Sequence, residues 1–184
     1  MFAVAQISNF ENIGIVNVRD ASAAVHRESA HFSDEKRRQN YPGSAHPDSE
    51  TIYLRMPTML SVDSVFNSLD VKNYPLASVP EFADLLDDVA AQINGRPARA
   101  MIVKLKGGGK VHPHIDQGIY ADATDRYHVP LMTNDRVRLF SGTESAHIPE
   151  GEIWWFNNHI MHSAVNGGAE DRVHLIIDFF RETR

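Results

Sequence analysis

The chain has 184 residues, a formal net charge of −6, 42% hydrophobic and 23% charged residues, a balance that fits one soluble globular domain better than two. With no cysteine, disulfides, thiolate metal sites and cysteine nucleophiles are excluded, and the acidic balance argues against a nucleic-acid partner, which needs a basic face. No stretch approaches the roughly 20 apolar residues of a bilayer span, and the start "MFAVAQISNF" lacks the basic-then-apolar order of a secretion signal; a cytoplasmic protein without a membrane partner is expected.

In chain order, 20–32 reads as a helix with Asp20 as its N-cap. The polar, turn-rich stretch 33–48, "SDEKRRQNYPGSAHPD", is expected to be a mobile loop and is the candidate substrate lid, with Tyr41 and His46 on it. A strand follows at 49–57. The clearest helix spans 78–95: Phe82, Leu85, Leu86, Val89 and Ile93 share a face, Ser78 and Pro80 mark its start and Gly95 its stop.

From Ala98 the pattern changes to short strands near 98–106, 110–115, 127–133, 136–141, 145–148, 152–156, 160–165 and 172–180, with no helix among them. The expected fold is mainly β with flanking helices, a jelly-roll or cupin-like barrel. Residues 98–180 would form its core and residues 1–97 a mixed helix and strand support, all within a single domain spanning 1–184.

The stretch "VHPHIDQG" (111–118) puts His112, His114 and Asp116 at alternate positions after three glycines. On a strand those side chains face one way, as two ligands of one ion must; spacing alone leaves both histidines eligible. A third ligand is offered by His159 or His162 in "FNNHIMHSAVN" (156–166). Two imidazoles and a carboxylate on one face of an ion suit a non-haem Fe(II) oxygenase, with open positions for cosubstrate and dioxygen; a zinc hydrolase uses a similar set. Ten residues after His162, Arg172 opens the most apolar strand in the chain, "DRVHLIIDFF". Alternation puts Arg172 and His174 on one side and Val173, Leu175, Ile177 and Phe179 on the other. An arginine entering a β-core needs an anionic partner, and its planar fork suits a carboxylate.

Together these residues resemble the Fe(II)- and 2-oxoglutarate-dependent oxygenases, and more narrowly the aspartyl/asparaginyl β-hydroxylase family. The likeness runs from about Ala98 to Phe180 through the glycine turn before "HPHID", then "RYHVPLMTN", "PEGEIWWFNN", "HSAVNGG" and "DRVHLIIDFF", with a weaker echo in "SAHPDSETIYLR" (44–55). The resemblance implies a double-stranded β-helix. It makes His114, Asp116 and His162 the iron ligands, and Arg172 the clamp on the distal carboxylate of 2-oxoglutarate with His128 beside it. Fe(II), 2-oxoglutarate and dioxygen are the implied cofactor and cosubstrates, and no side chain beyond the metal centre is assigned a catalytic role. The family's namesake carries glycine in place of the carboxylate ligand, whereas this chain has Asp116; a complete triad favours hydroxylation over halogenation.

Family substrates include peptide residues, free amino acids such as proline, and lipid acyl chains. For this chain the expectation is hydroxylation of an unactivated C–H bond of an amino acid, free or within a peptide, bearing an anionic group. Arg126 (same parity as His128), Arg55, His46 and Trp155 are the candidate substrate contacts. Two other readings keep the barrel: a cupin-like metal-dependent isomerase or hydrolase, which has no need of Arg172, and a non-catalytic metal- or ligand-binding module.

Overall fold

The computed structural model describes residues 8–34 and 36–181. Among the described residues eleven strands form two antiparallel sheets. The larger has the order β1 (Phe10–Ile15), β9 (Glu152–Phe156), β6 (Thr124–Met132), β11 (Arg172–Phe180), β4 (Arg96–Leu105), β2 (Ser49–Met56), β3 (Lys72–Asn73). The smaller has the order β5 (Lys110–His114), β10 (His162–Asn166), β7 (Val137–Ser141), β8 (Glu144–Ala146). The fold is the double-stranded β-helix, with flanking helices from the N-terminal half.

Strand β11 is the spine of the large sheet, with Ile176 paired to Met101 on β4 and to His128 on β6. Its two-residue period decides what each face carries. Val173, Leu175, Ile177 and Phe179 point outward, into a core shared with Ala21, Ala24 and Val25 of α1 (Arg19–Arg27) and Phe82, Leu85 and Val89 of α4 (Pro80–Ile93). Fully buried side chains of this kind stabilise by roughly 1.5–3 kcal/mol each. Arg172, His174, Ile176 and Asp178 point the other way, into the barrel, and all four are buried. Between the sheets Phe10, Leu105, Leu139, Ile148 and Phe156 close a second core. Helices α1 and α4 thus brace one sheet, and the buried polar groups of β11 face the barrel interior beside this second core.

The helix expected over 20–32 ends at Arg27 and continues as a 3₁₀ turn over Ser29–Ser33. Its N-cap is Val18, with no side-chain cap; Asp20 lies in the first turn instead, where the helix dipole favours a carboxylate. Helix α4 starts at Pro80 but stops on Asn94, left-handed at φ 54, rather than on Gly95. A short helix, α5 (Ile119–Asp122), interrupts the strand series between β5 and β6. The pattern also missed β1, an edge strand with exposed residues at its centre, and α3 (Val62–Asn67), which begins with a Ser61/Ser64 capping box and buries no residue of its own. Among the described residues no helix is long and apolar enough to cross a membrane.

Two glycines place the site's loops. A Cβ on Gly107 would lie 2.0 Å from the Ala169 carbonyl oxygen, so only glycine lets the β4–β5 turn meet the loop before β11. Gly118, at φ +97, packs where a Cβ would come within 2.5 Å of the Phe66 carbonyl oxygen, seating the chain after Asp116 against α3.

Candidate metal centre and cosubstrate pocket

Strand β10 sets His162 opposite His114 of β5. Ala164 pairs with Val111, so β5 carries one extra residue between the two pairings. This bulge breaks the alternation: Val111 and His114 share the inward face, and both line the inner pocket with His162. His112 is thereby excluded from the cluster; its carbonyl oxygen accepts a hydrogen bond from His114 Nδ1 at 2.8 Å. Asp116 lies beyond the end of β5, in a loop whose direction is fixed by its backbone N–H donating to Asn158 O (3.1 Å).

The nitrogen and oxygen donors of His114, Asp116 and His162 lie within 4.8 Å of one another. Asp116 Oδ1 is 3.6 Å from His114 Nε2 and 3.9 Å from His162 Nε2. A carbonyl oxygen only accepts, so His114 Nδ1 donates to His112 O and His162 Nδ1 to Ile160 O (3.0 Å). Both imidazoles therefore turn an unprotonated Nε2 towards the carboxylate, the tautomer a metal ligand needs. Burial lowers the pKa of both rings, that of His162 to about 4. For Asp116 burial opposes ionisation, but the Arg126 charge, then the neighbouring His162 ring and the Asn158 amide, outweigh it and hold the carboxyl at about 2. The donor set is ionised where it must be and neutral where it must be. It fits a hard-to-borderline divalent ion bound by two imidazoles and one carboxylate.

Arg126 was expected to receive a substrate carboxylate. It is committed to protein carboxylates instead: Nε and Nη2 donate to Asp178 Oδ1 and Oδ2 (2.8 and 3.0 Å), and Nη1 donates to Asp116 Oδ2 (2.6 Å). Burial alone would lower its pKa, but Asp178 and Asp116 raise it above the ordinary value. Tyr120 donates to Asp178 Oδ2 and Asn158 Nδ2 to Asp116 Oδ2, both at 2.9 Å. Asp178, Tyr120 and Asn158, none of them foreseen, thus hold Arg126 and Asp116. The signal for Asp178 was present: it has the parity of Arg172 and His174 on the most apolar strand.

Arg172 is 2% exposed, and Nη2 donates to His174 Nδ1 at 2.8 Å. Its Nε has no hydrogen-bond partner, and it forms no ion pair among the described residues. Burial, and then the Arg38 charge, lower its pKa to about 9, so it remains a cation at neutral pH. His128 lies beside it, its Nδ1 at 3.5 Å from Nη2, and burial next to Arg172 keeps that ring neutral. Arg172, His128, His114 and His162 line one inner pocket of about 40 Å³. It adjoins an outer chamber of about 330 Å³, which Asp116 also lines. A guanidinium with no ion pair among the described residues, beside a two-histidine, one-carboxylate cluster, is what a chelating keto-acid with a distal carboxylate requires.

The other expected substrate contacts divide. His46 lines both chambers, its ring edge-on to His114 with centroids 4.9 Å apart. The loop expected as a lid lies over the outer chamber through Arg38, Tyr41 and Ser44. Arg55 lies away from the site: its donors go to Ala98 O, Asn73 Oδ1 and Pro97 O, because a bulge between Tyr53 and Arg55 leaves Tyr53 and Met56, not Arg55, on the cavity side. Trp155 lines neither chamber and donates to Asp125 Oδ1, while Phe156 is the β9 residue at the inner pocket. His159 lies outside the metal cluster, against Arg181.

A double-stranded β-helix whose interior carries this donor set and this free guanidinium defines an Fe(II)- and 2-oxoglutarate-dependent oxygenase. The family model for aspartyl/asparaginyl beta-hydroxylase matches residues 20–182, and the chain belongs to that family. It is a 2-oxoglutarate-dependent hydroxylase, with Fe(II) as its metal and 2-oxoglutarate and dioxygen as cosubstrates. Solved structures with the same fold include a Pseudomonas putida prolyl-4-hydroxylase (13% identity, 95% of this chain and 94% of that one, TM-score 0.55). AviO1 from Streptomyces viridochromogenes Tue57 is similar at 15% identity (95% and 90% covered, TM-score 0.53). A 2OG-Fe(II) oxygenase family oxidoreductase from Burkholderia pseudomallei is similar at 10% (73% and 68%, TM-score 0.53).

Proposed function

We propose that His114, Asp116 and His162 hold the ferrous ion, that Arg172 with His128 receives the distal carboxylate of 2-oxoglutarate, and that the enzyme hydroxylates an unactivated C–H bond of an amino acid, free or within a peptide, bearing an anionic group. The observation that carries this reading is the convergence of the three donors within 4.8 Å beside a buried arginine that forms no ion pair among the described residues. Bound iron and 2-oxoglutarate supply the oxidation, in which the keto-acid loses carbon dioxide to become succinate and one oxygen atom enters the C–H bond. The chain's own residues supply geometry. The Nδ1 bonds of His114 and His162 to backbone carbonyls fix the ring planes. Arg126, anchored by Asp178, holds one oxygen of Asp116, leaving Oδ1 facing the two imidazoles. Neutral His128 and His174 flank Arg172 without competing for its charge. Arg38, Tyr41, Ser44 and His46 line the outer chamber from the covering loop, where a bound substrate would be shielded from water.

The test is to add Fe(II) and 2-oxoglutarate to the protein without air. A visible charge-transfer band is expected, followed by slow succinate formation on admitting air. A hydrolase on this barrel would be indifferent to 2-oxoglutarate, and a binding module would form no succinate.

A further inference from the structure

Two arginines that line the outer chamber, Arg38 and Arg99, form no ion pair among the described residues. Arg38, on α2 (Arg37–Asn40) of the covering loop, lines both chambers. Its Nη1 is buried with no hydrogen-bond partner, Nη2 lies 3.3 Å from His46 Nε2, and it forms no ion pair among the described residues. The other arginines facing the chamber have partners: Arg37 Nη1 donates to Leu60 O at 2.8 Å. Arg126 has Asp178 and Asp116, and Arg99 gives its Nη donors to the carbonyls of Val65, Ser64 and Ser68 at the end of α3. With a divalent ion and the 2-oxoglutarate dianion in place, Asp116, Asp178 and the cosubstrate offset Arg126, Arg172 and the metal in full, and one further positive charge lining both chambers has no carboxylate among the described residues. That charge is Arg38, and a buried unpaired guanidinium is costly until an anion meets it.

The remaining lining narrows the anion. Met56, Leu60, Val62, Val65, Phe66 and Met101 make the outer wall apolar. Among the described residues lining the chamber Asp116 is the only carboxylate, and its Oδ2 is already shared by Arg126 and Asn158. A carboxylate finds a cation here; an ammonium beside it finds no counter-charge.

Resting on the function proposed above, we infer that Arg38 is the substrate-carboxylate receptor, and that the substrate is a carboxylate with an apolar body and a blocked or absent amine, an N-acylated amino acid or peptide end rather than a free zwitterion. Because Arg38 belongs to the covering loop, binding the anion also fastens that loop over the chamber: Ser44 Oγ donates to the Arg38 carbonyl, and the His112 N–H donates to Ala45 O (2.7 Å), tying the loop's far end to β5.

The experiment is calorimetric titration, without air, of protein charged with Fe(II) and 2-oxoglutarate, using N-acetyl-L-leucine, its carboxamide and L-leucine as probes. The acid is expected to bind about 100-fold tighter than the amide, as a buried charge-assisted fork implies, and clearly tighter than L-leucine. In R38M the acid-to-amide ratio is expected to fall to about one, with R38K restoring part of it; the amide's affinity is the internal control for a folded chamber. L-leucine binding as tightly as the acid, or no probe binding at all, overturns the substrate class. An unchanged ratio in R38M, or a loss of 2-oxoglutarate affinity by the same factor as the acid, overturns the role of Arg38. Any of these results alongside a normal Fe(II)/2-oxoglutarate band leaves the oxygenase reading standing. Loss of the band in the wild type removes both.

Discussion

Replacing Arg172 with methionine is expected to stabilise the metal-free protein while abolishing cosubstrate binding, two effects of opposite sign from one side chain. Burial lowers the Arg172 pKa from 12.5 to about 9, and at about 1.4 kcal/mol per unit the charged form costs on the order of 4–5 kcal/mol in the folded state. The variant gives back roughly 2 kcal/mol through the lost Nη2–His174 hydrogen bond and the acceptor left on that ring. A net gain of about 2–3 kcal/mol remains, or a rise in Tm of roughly 5–10 °C for a chain of this size. The pH dependence has a definite sign. A cation whose folded pKa is depressed is bound less tightly by its proton in the native state, so wild-type stability recovers as pH rises from 9 towards 12.5 and the gap to the variant closes there. With 2-oxoglutarate and a divalent ion at about 100 times Kd, the wild type gains about 2.7 kcal/mol. The variant, without the charge-assisted fork, binds 2-oxoglutarate at least about 100-fold more weakly and shows no such gain. Differential scanning calorimetry with and without the ligands reads both quantities. An Arg172→Met protein that melts below the wild type and keeps its 2-oxoglutarate shift would refute the reasoning.

Asp178→Asn breaks the fork that anchors Arg126 and is expected to cost about 3–5 kcal/mol, read from urea unfolding, with iron affinity falling roughly 10- to 100-fold through the loosened Asp116; a variant with wild-type iron affinity would count against a positioning role. Arg126→Ala should act the same way, lowering stability and iron retention together, whereas a selective rise in substrate KM would return Arg126 to the substrate. Iron analysis should find His114→Ala empty and His112→Ala loaded, since only the former ring faces Asp116. The iron-free protein should lose stability as pH falls from 6.5 towards 4: the unfolded imidazole of His162 binds a proton at its ordinary value and the buried one only near 4, a difference on the order of 3 kcal/mol. Buried His128 and His174 push in the same direction, so a urea midpoint that is flat between pH 7 and pH 5 would contradict the buried, neutral state of these rings.

Much of the barrel was legible because alternation is a local steric property. Along "DRVHLIIDFF" the period of two separates a helix-facing set from a cavity-facing set without reference to any other strand, and each of the eight strands read from residue 98 onward has a counterpart in the structure. The same rule misled wherever a bulge intervened. An extra residue between Val111 and His114 removes His112 from the inward face, and another between Tyr53 and Arg55 turns Arg55 away from the cavity. No glycine marks either bulge; at the first the residue-type trace is Pro113, which within a strand points to a bulge or an edge.

The order and chemistry of His114, Asp116, His162 and Arg172, and the face of β11 on which Arg172 lies, are properties of the sequence, set by strand periodicity and residue type. Which arginine serves which anion is not. Arg126, Arg38 and Arg172 are equal in sequence as cations, and only the folded chain determines that Asp178 and Asp116 neutralise the first while the other two form no ion pair among the described residues. Ion pairing depends on which charges lie within a few ångströms once water is displaced, and no local pattern encodes distances across the barrel.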